Sequence, residues 1–189
     1  MPFLLLALVS VAIAWLRGVS PLQLARIQLR WLALPAIAFL IQFLAFVRFG
    51  DATVDYAVWL QLASLGLLLI FLAANLRYRS FLLAIVGTAL NLAVITANGG
   101  YMPAPIAAVE RIGYPEVAAR LTSHGYFQKS KPLDEQTRLP WLADVIYLPF
   151  FGAGRLVSIG DLFVGAGVFL FIQEALVGRR PRLTPAPAP

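Results

Sequence analysis

The chain has 189 residues, of which 60% are hydrophobic and only 13% are charged. Soluble domains typically carry about a quarter of their residues as charged side chains, so the composition excludes an ordinary soluble enzyme. With no cysteine and a single histidine, disulfide frameworks, thiolate clusters and multi-histidine metal sites are excluded as well. We expect a multi-pass membrane protein with no metal and no cofactor.

The net charge of +6 does not indicate nucleic-acid binding, because several basic residues flank apolar stretches, as membrane orientation requires. The lipid bilayer is the expected partner, together with other membrane proteins or a small ligand.

A membrane-crossing helix needs about 20 apolar residues, which predicts an all-α bundle of about five transmembrane helices in a single membrane domain, residues 1–182. The predicted helices span residues 2–16, 31–47, 56–74, 81–98 and 156–177. Whether the short first helix crosses completely stays open, and residues 183–189 are expected to form a disordered tail.

The distribution of Lys and Arg predicts the orientation of the helices. The loop from Arg17 to Arg30, the turn from Arg77 to Arg79 and the C-terminal tail are short and basic, whereas the positive charges on the opposite side are balanced by acids. Short basic loops face the cytoplasm. We therefore expect the N-terminus outside and the C-terminus inside.

The outer segment, residues 99–155, is long and rich in aromatic side chains, which favours a folded extracytoplasmic cap. Residues 106–112 and 116–123 are predicted as short helices within it. Three charged residues, Lys131, Asp134 and Arg138, are candidates for a binding cluster above the membrane helices. Ordinary surface ion pairs are the alternative interpretation.

Polar residues recur on one face of each of two predicted helices. Asn91 and Asn98 lie on one face of the fourth helix, and Ser158 and Asp161 lie on one face of the fifth. Because the two helices are antiparallel, Asn91 and Asp161 should lie at a similar depth, with Asn98 near Ser158. An acid inside a membrane costs about 2.5–3.5 kcal/mol, so these residues either line an outward-opening site or form an interhelical polar contact.

Three segments resemble the motifs of a family of small bacterial multi-pass membrane proteins of unknown function. They are residues 98–103 (Asn-Gly-Gly-Tyr-Met-Pro), 137–144 (Thr-Arg-Leu-Pro-Trp-Leu-Ala-Asp) and 158–161 (Ser-Ile-Gly-Asp). Ala143 stands where the pattern would have glycine. The resemblance covers the half of the chain after about Phe81 and implies a bacterial origin and a plasma-membrane location, but no activity.

A fainter resemblance is to lipoprotein signal peptidases, which are aspartyl peptidases of the membrane. Residues 87–92 are similar to the motif around their first catalytic aspartate, and residues 158–161 to the motif around the second. Ala93 and Val94 occupy the region where the first aspartate should stand. A pair of carboxylates would then have to be Asp161 and Asp144, the catalytic candidates that this resemblance implies.

The sequence therefore favours a binding or accessory subunit of a membrane assembly, with a polar cluster between the fourth and fifth helices on the outer side. The alternatives are an intramembrane aspartyl hydrolase that uses Asp161 and Asp144, with Asn91 orienting the substrate, and a small transporter. Few helices and the lack of a clear inverted repeat disfavour the transporter.

Overall fold

The computed structural model describes residues 2–46, 54–149 and 154–177. The described chain is mostly helical, with four short strands. The α-helices are α1 (Pro2–Leu16), α2 (Ala33–Phe46), α3 (Val54–Ala74), α4 (Phe81–Ala97), α5 (Ile106–Arg111), α6 (Pro115–His124) and α7 (Ile159–Val177). The strands are β1 (Met102–Ala104), β2 (Ser130–Pro132), β3 (Ile146–Leu148) and β4 (Arg155–Val157), and 3-10 turns cover Pro21–Arg26 and Pro140–Leu142.

The five predicted apolar helices correspond to α1, α2, α3, α4 and α7, with corrected ends. The second begins at Ala33 rather than at residue 31, because Trp31 has a positive φ of 55° that a right-handed helix cannot contain. The fourth ends at Ala97, and the fifth begins at Ile159 instead of 156 because residues 155–157 form β4. The predicted tail, 183–189, lies outside the described residues.

The outer segment is folded, as its aromatic content predicts. Helices α5 and α6 lie where the two short helices are expected. The strands were not expected: β1 pairs with β2 in parallel, and β3 pairs with β4 antiparallel. Each strand is three residues long, too short for the alternation of polar and apolar residues that reveals a strand in a sequence.

The long helices pack in the order α1, α7, α4, α3 and α2, each contacting the next. Near the turn between α3 and α4, an aromatic cluster fills the interior, in which the rings of Phe81 and Phe171 stack with their centroids 4.5 Å apart and Tyr78 contacts both. At the opposite end, Val94 and Ile95 of α4 pack against Met102 and Leu142 of the outer segment. The outer segment is therefore held on the bundle by an apolar core of its own.

The outward faces of the long helices are apolar. Phe39 of α2 and Trp59 of α3 are 65% and 70% exposed, and Leu82 and Leu170 are exposed on α4 and α7. Two helical stretches, Ala57–Ala74 and Ile159–Leu176, are long and apolar enough to cross a membrane. Large exposed apolar patches generally mark surfaces that contact other proteins or a membrane.

Candidate functional site

Helices α4 and α7 approach closely because glycines line their contact. A Cβ atom added at Gly160 would lie 2.7 Å from the carbonyl oxygen of Gly87, and one added at Gly167 would lie 2.7 Å from the amide nitrogen of Ala84. Both distances are shorter than a carbon atom tolerates. Small residues that allow two backbones to meet are the usual basis of helix association in membranes. This close approach places the polar residues of the two helices within hydrogen-bonding distance.

Three of the predicted site residues meet at the first turn of α7. The Asn91 side chain donates from Nδ2 to Asp161 Oδ1 at 2.8 Å and accepts at Oδ1 from the Ser158 hydroxyl at 2.8 Å. Asn91 and Ser158 are buried and Asp161 is half-buried. Asn91 therefore joins α4 to the start of α7 through both ends of its amide.

Ser158 and Asp161 also cap α7. The Asp161 amide donates to Ser158 Oγ at 2.9 Å, and the Ser158 amide donates to Asp161 Oδ2 at 3.4 Å. This reciprocal pair is a capping box, in which the side chain before the helix and the one three residues later satisfy each other's amides. The negative charge also lies favourably at the positive end of the helix dipole. The spacing Ser-x-x-Asp before an apolar run is the sequence signal for this cap, and it explains why the helix begins at Ile159.

Asn98 has a different partner from the one that the spacing indicated. Its Nδ2 donates to the carbonyl oxygen of Arg138 at 2.7 Å, and its Oδ1 accepts from the Arg138 amide at 3.0 Å. The chain can turn here because Gly99 and Gly100 both have positive φ, and their amides bond to Thr96 and Ile95 in the pattern of a glycine-terminated helix. Asn98 is therefore a clamp that holds the outer segment to the end of α4.

The charged residues predicted as a cluster have separate roles. Lys131 lies on β2, and the Asp134 carboxylate accepts hydrogen bonds from the Gln136 amide and the Thr137 hydroxyl, both at 3.0 Å, within its own turn. The Arg138 side chain is exposed while its backbone is held by Asn98. Within the described outer segment, no hydrogen bond joins these three side chains to one another.

Asp144 carries a buried carboxylate oxygen whose bonding is incomplete. It lies between the second 3-10 turn and β3, where its amide donates to the carbonyl oxygen of Pro103 at 3.0 Å. Its Oδ1 is inaccessible to solvent and has no hydrogen-bond partner among the described residues. A buried polar atom without a partner costs about 1–3 kcal/mol, and more when the group is charged. Such an atom is rare in folded proteins.

Burial, together with the negative charge of Asp161, raises the pKa of Asp144 to about 7, while the positive charge of Lys129 opposes the shift. The two carboxyls therefore interact electrostatically, although no hydrogen bond between them is found among the described contacts.

The sequence analysis identified both aspartates as candidates, but it did not indicate Lys129 or the glycine contact that brings α7 to Asn91. Within the described ranges, no group of three or more His, Cys, Asp and Glu side chains is placed to hold a metal ion.

Comparison with known proteins supports the family assignment. Residues 26–173 match a family model described as a family of unknown function (DUF5317), and the chain belongs to that family. The predicted membership of an uncharacterised family is confirmed. No curated protein and no solved structure matches the chain.

Proposed function

We propose that this DUF5317 member is an integral membrane protein of the bacterial plasma membrane, a binding or accessory subunit whose outer side captures a cationic group. In this arrangement α1, α2, α3, α4 and α7 cross the bilayer, the N-terminus is outside, and the arginine-bearing turns are cytoplasmic. The exposed apolar faces of these helices support the bilayer placement. At about 1.5 Å per residue, α3 and α7 reach roughly 30 Å, which matches the hydrocarbon core.

The observation that carries the binding site is the unpartnered Oδ1 of Asp144 beside Asp161. When Asp144 is ionised, its negative charge in a largely buried position is repelled by that of Asp161 and attracted by Lys129. An ammonium or guanidinium group that displaced the side chains covering this oxygen would supply both a hydrogen-bond donor and a positive charge. The ligand class is therefore a small amine or guanidine, or a Lys or Arg side chain of a partner protein.

The test is thermal unfolding of the detergent-solubilised protein at pH 8, where Asp144 is ionised in the absence of a ligand. Methylammonium and methylguanidinium chloride are the probes, and sodium chloride at equal ionic strength is the reference. We expect the organic cations to raise the melting temperature of the wild type, because a ligand that binds only the folded state stabilises it. Asp144→Asn should abolish this increase.

Glu110→Gln is the matched control, because Glu110 is an exposed acid of the same outer segment and the variant makes the same charge change. It should respond as the wild type does. Equal stabilisation by sodium and by the organic cations, or an undiminished response of Asp144→Asn, would contradict the proposed site.

A second function, intramembrane aspartyl hydrolysis, is favoured by one observation. Asp144 has a pKa near 7 while the neighbouring Asp161 accepts hydrogen bonds from Asn91 and Ser158. Two carboxyls in such different surroundings can share the roles of acid and base. Asp161 would take a proton from a water molecule while the oxygen of that water adds to the carbonyl carbon of a peptide bond. Asp144 would protonate the carbonyl oxygen, which gives a gem-diol. Asp161 would then pass its proton to the amide nitrogen as the C–N bond breaks, and Asp144 would take back a proton from a gem-diol hydroxyl as the carboxylic acid forms.

For this second function, a fluorogenic peptide containing an apolar transmembrane-like segment is the substrate probe. Asp144→Asn and Asp161→Asn should each abolish its cleavage, whereas Glu110→Gln should not. Cleavage that persists in either aspartate variant, or no cleavage by the wild type, would eliminate the hydrolase. Neither outcome affects the test of cation binding, which uses no peptide.

A further inference from the structure

The end of the bundle opposite Asp144 carries five exposed arginines, which we call the arginine rim: Arg17, Arg26, Arg30, Arg77 and Arg79. Three contacts bring their segments together. Arg17 donates from Nη1 to Gln173 Oε1 of α7 at 3.2 Å, and Asn75 pairs with the backbone of Arg30 through both ends of its amide, at 2.7 and 2.9 Å. The third contact, from Glu174 of α7, reaches the backbone of the turn that carries Arg77 and Arg79.

Glu174 is the acid that lies within this end of the described structure, and its carboxylate oxygens accept hydrogen bonds from the turn before α4. It accepts hydrogen bonds from the amides of Arg79 and Ser80, both at 3.1 Å, and from the Ser80 hydroxyl at 2.7 Å. Its carboxylate is thus bonded to the start of α4 and also interacts electrostatically with Arg79. Five arginines against one glutamate still leave a net positive surface.

Large apolar side chains alternate with the arginines along the chain. Trp15 and Leu16 precede Arg17, Leu22 lies on the 3-10 turn that ends at Arg26, and Trp31 and Leu32 follow Arg30. All five of these apolar residues are at least 61% exposed. Tryptophan rings beside basic side chains are typical of the level where acyl chains meet headgroups. This pattern matches a lipid surface better than a soluble partner, which would bury the apolar residues and leave the charges at the edge.

We propose that the arginine rim selects phospholipids with a net negative headgroup over zwitterionic ones. A guanidinium presents parallel N–H donors that match two phosphate oxygens, and the rim places several of them beside side chains that enter the acyl region. A zwitterionic headgroup carries its own cation near the phosphate, and the positive surface repels that cation. The inference rests on the membrane placement proposed above, but not on the site at Asp144.

The experiment measures lipid preference by tryptophan quenching. The protein is reconstituted in vesicles of phosphatidylcholine mixed with phosphatidylglycerol, and either lipid is supplied in brominated form. We expect brominated phosphatidylglycerol to quench more strongly than brominated phosphatidylcholine at equal mole fraction. Arg30→Gln combined with Arg79→Gln should lower the relative affinity for phosphatidylglycerol by about fivefold for each arginine removed.

Arg111→Gln combined with Arg155→Gln is the matched control, since both residues are exposed and lie in the outer segment. It should keep the preference of the wild type. The preference of the wild type should also fall as sodium chloride is raised, because salt screens exposed charges, and this measurement needs no variant. Equal quenching by the two lipids, or equal loss in the rim and control variants, would overturn the proposal.

The same reconstitution separates the two levels of inference. If the protein does not float with phosphatidylcholine vesicles in a density gradient, the membrane placement itself is wrong. If it floats but shows no preference for phosphatidylglycerol, the membrane placement stands and the headgroup selection is wrong.

Discussion

Replacing Gly160 by alanine tests the close contact between α4 and α7. The added methyl group would clash with Asn91 Oδ1 and would lie 2.7 Å from the carbonyl oxygen of Gly87. Because the Gly87 oxygen belongs to the backbone, the helices must separate to relieve that contact, and the Asn91 amide must also move away from its position beside Asp161. Overpacking of this kind costs about 1–3 kcal/mol, and loss of an interhelical hydrogen bond in a membrane adds about 0.6 kcal/mol.

For a chain of this size, such a loss lowers the melting temperature by roughly 4–10 °C. The assay is thermal unfolding in detergent, followed by circular dichroism. Gly66→Ala is the matched control, because Gly66 lies within α3 and an added Cβ would meet nothing within 4 Å. It should be neutral or stabilising by about 0.5–1 kcal/mol, since alanine favours a helix over glycine. Equal melting temperatures for the two variants would refute the tight contact and the geometry derived from it.

Two further predictions concern the outer segment. Asn98→Ala removes both hydrogen bonds to the Arg138 backbone, at a cost of about 1–3 kcal/mol. Trypsin should therefore cleave after Arg138 on the order of tenfold faster. Asn75→Ala breaks the similar clamp at Arg30 and should leave the rate of cleavage after Arg138 unchanged. For Asp144, the pKa of about 7 in the folded state exceeds the ordinary value of 3.8, so the folded protein binds the extra proton between these values. The contribution of Asp144 to stability should therefore be constant below pH 4, fall by about 2–4 kcal/mol as the pH rises to 7, and level off above it. Asp144→Asn should remove this pH dependence and exceed the wild type in stability at pH 8, as measured by denaturant unfolding; a slope that persists in the variant would show that another group is responsible.

The polar spacing in the sequence was sufficient to predict that Asn91, Ser158 and Asp161 share an interface. Helical periodicity and antiparallel connection fix which faces meet, and the glycines then allow the distance to close. The partner of Asn98 could not be predicted in the same way. It depends on the chain turning through Gly99 and Gly100 and returning at Arg138, a non-local contact without a periodic signal.

The start of α7 shows a different difficulty. Leu156 and Val157 are apolar enough to be included in a predicted helix, but they pair with β3 instead. The deciding signal is the cap formed by Ser158 and Asp161, whose spacing is visible in the sequence. The incomplete bonding of Asp144 has no such signal, because burial of one carboxylate oxygen results from the packing of a folded loop on the bundle.

The membrane placement underlies both proposals, and cysteine accessibility tests it most directly, because the chain contains no native cysteine. Ser123→Cys places an exposed thiol on the outer segment, and Gln28→Cys places one between Arg26 and Arg30. In intact spheroplasts, a membrane-impermeant maleimide should label Ser123→Cys, and it should label Gln28→Cys only after lysis. Labelling of both positions in intact spheroplasts, or labelling of Gln28→Cys alone, would contradict a bundle that crosses the membrane with its arginines inside.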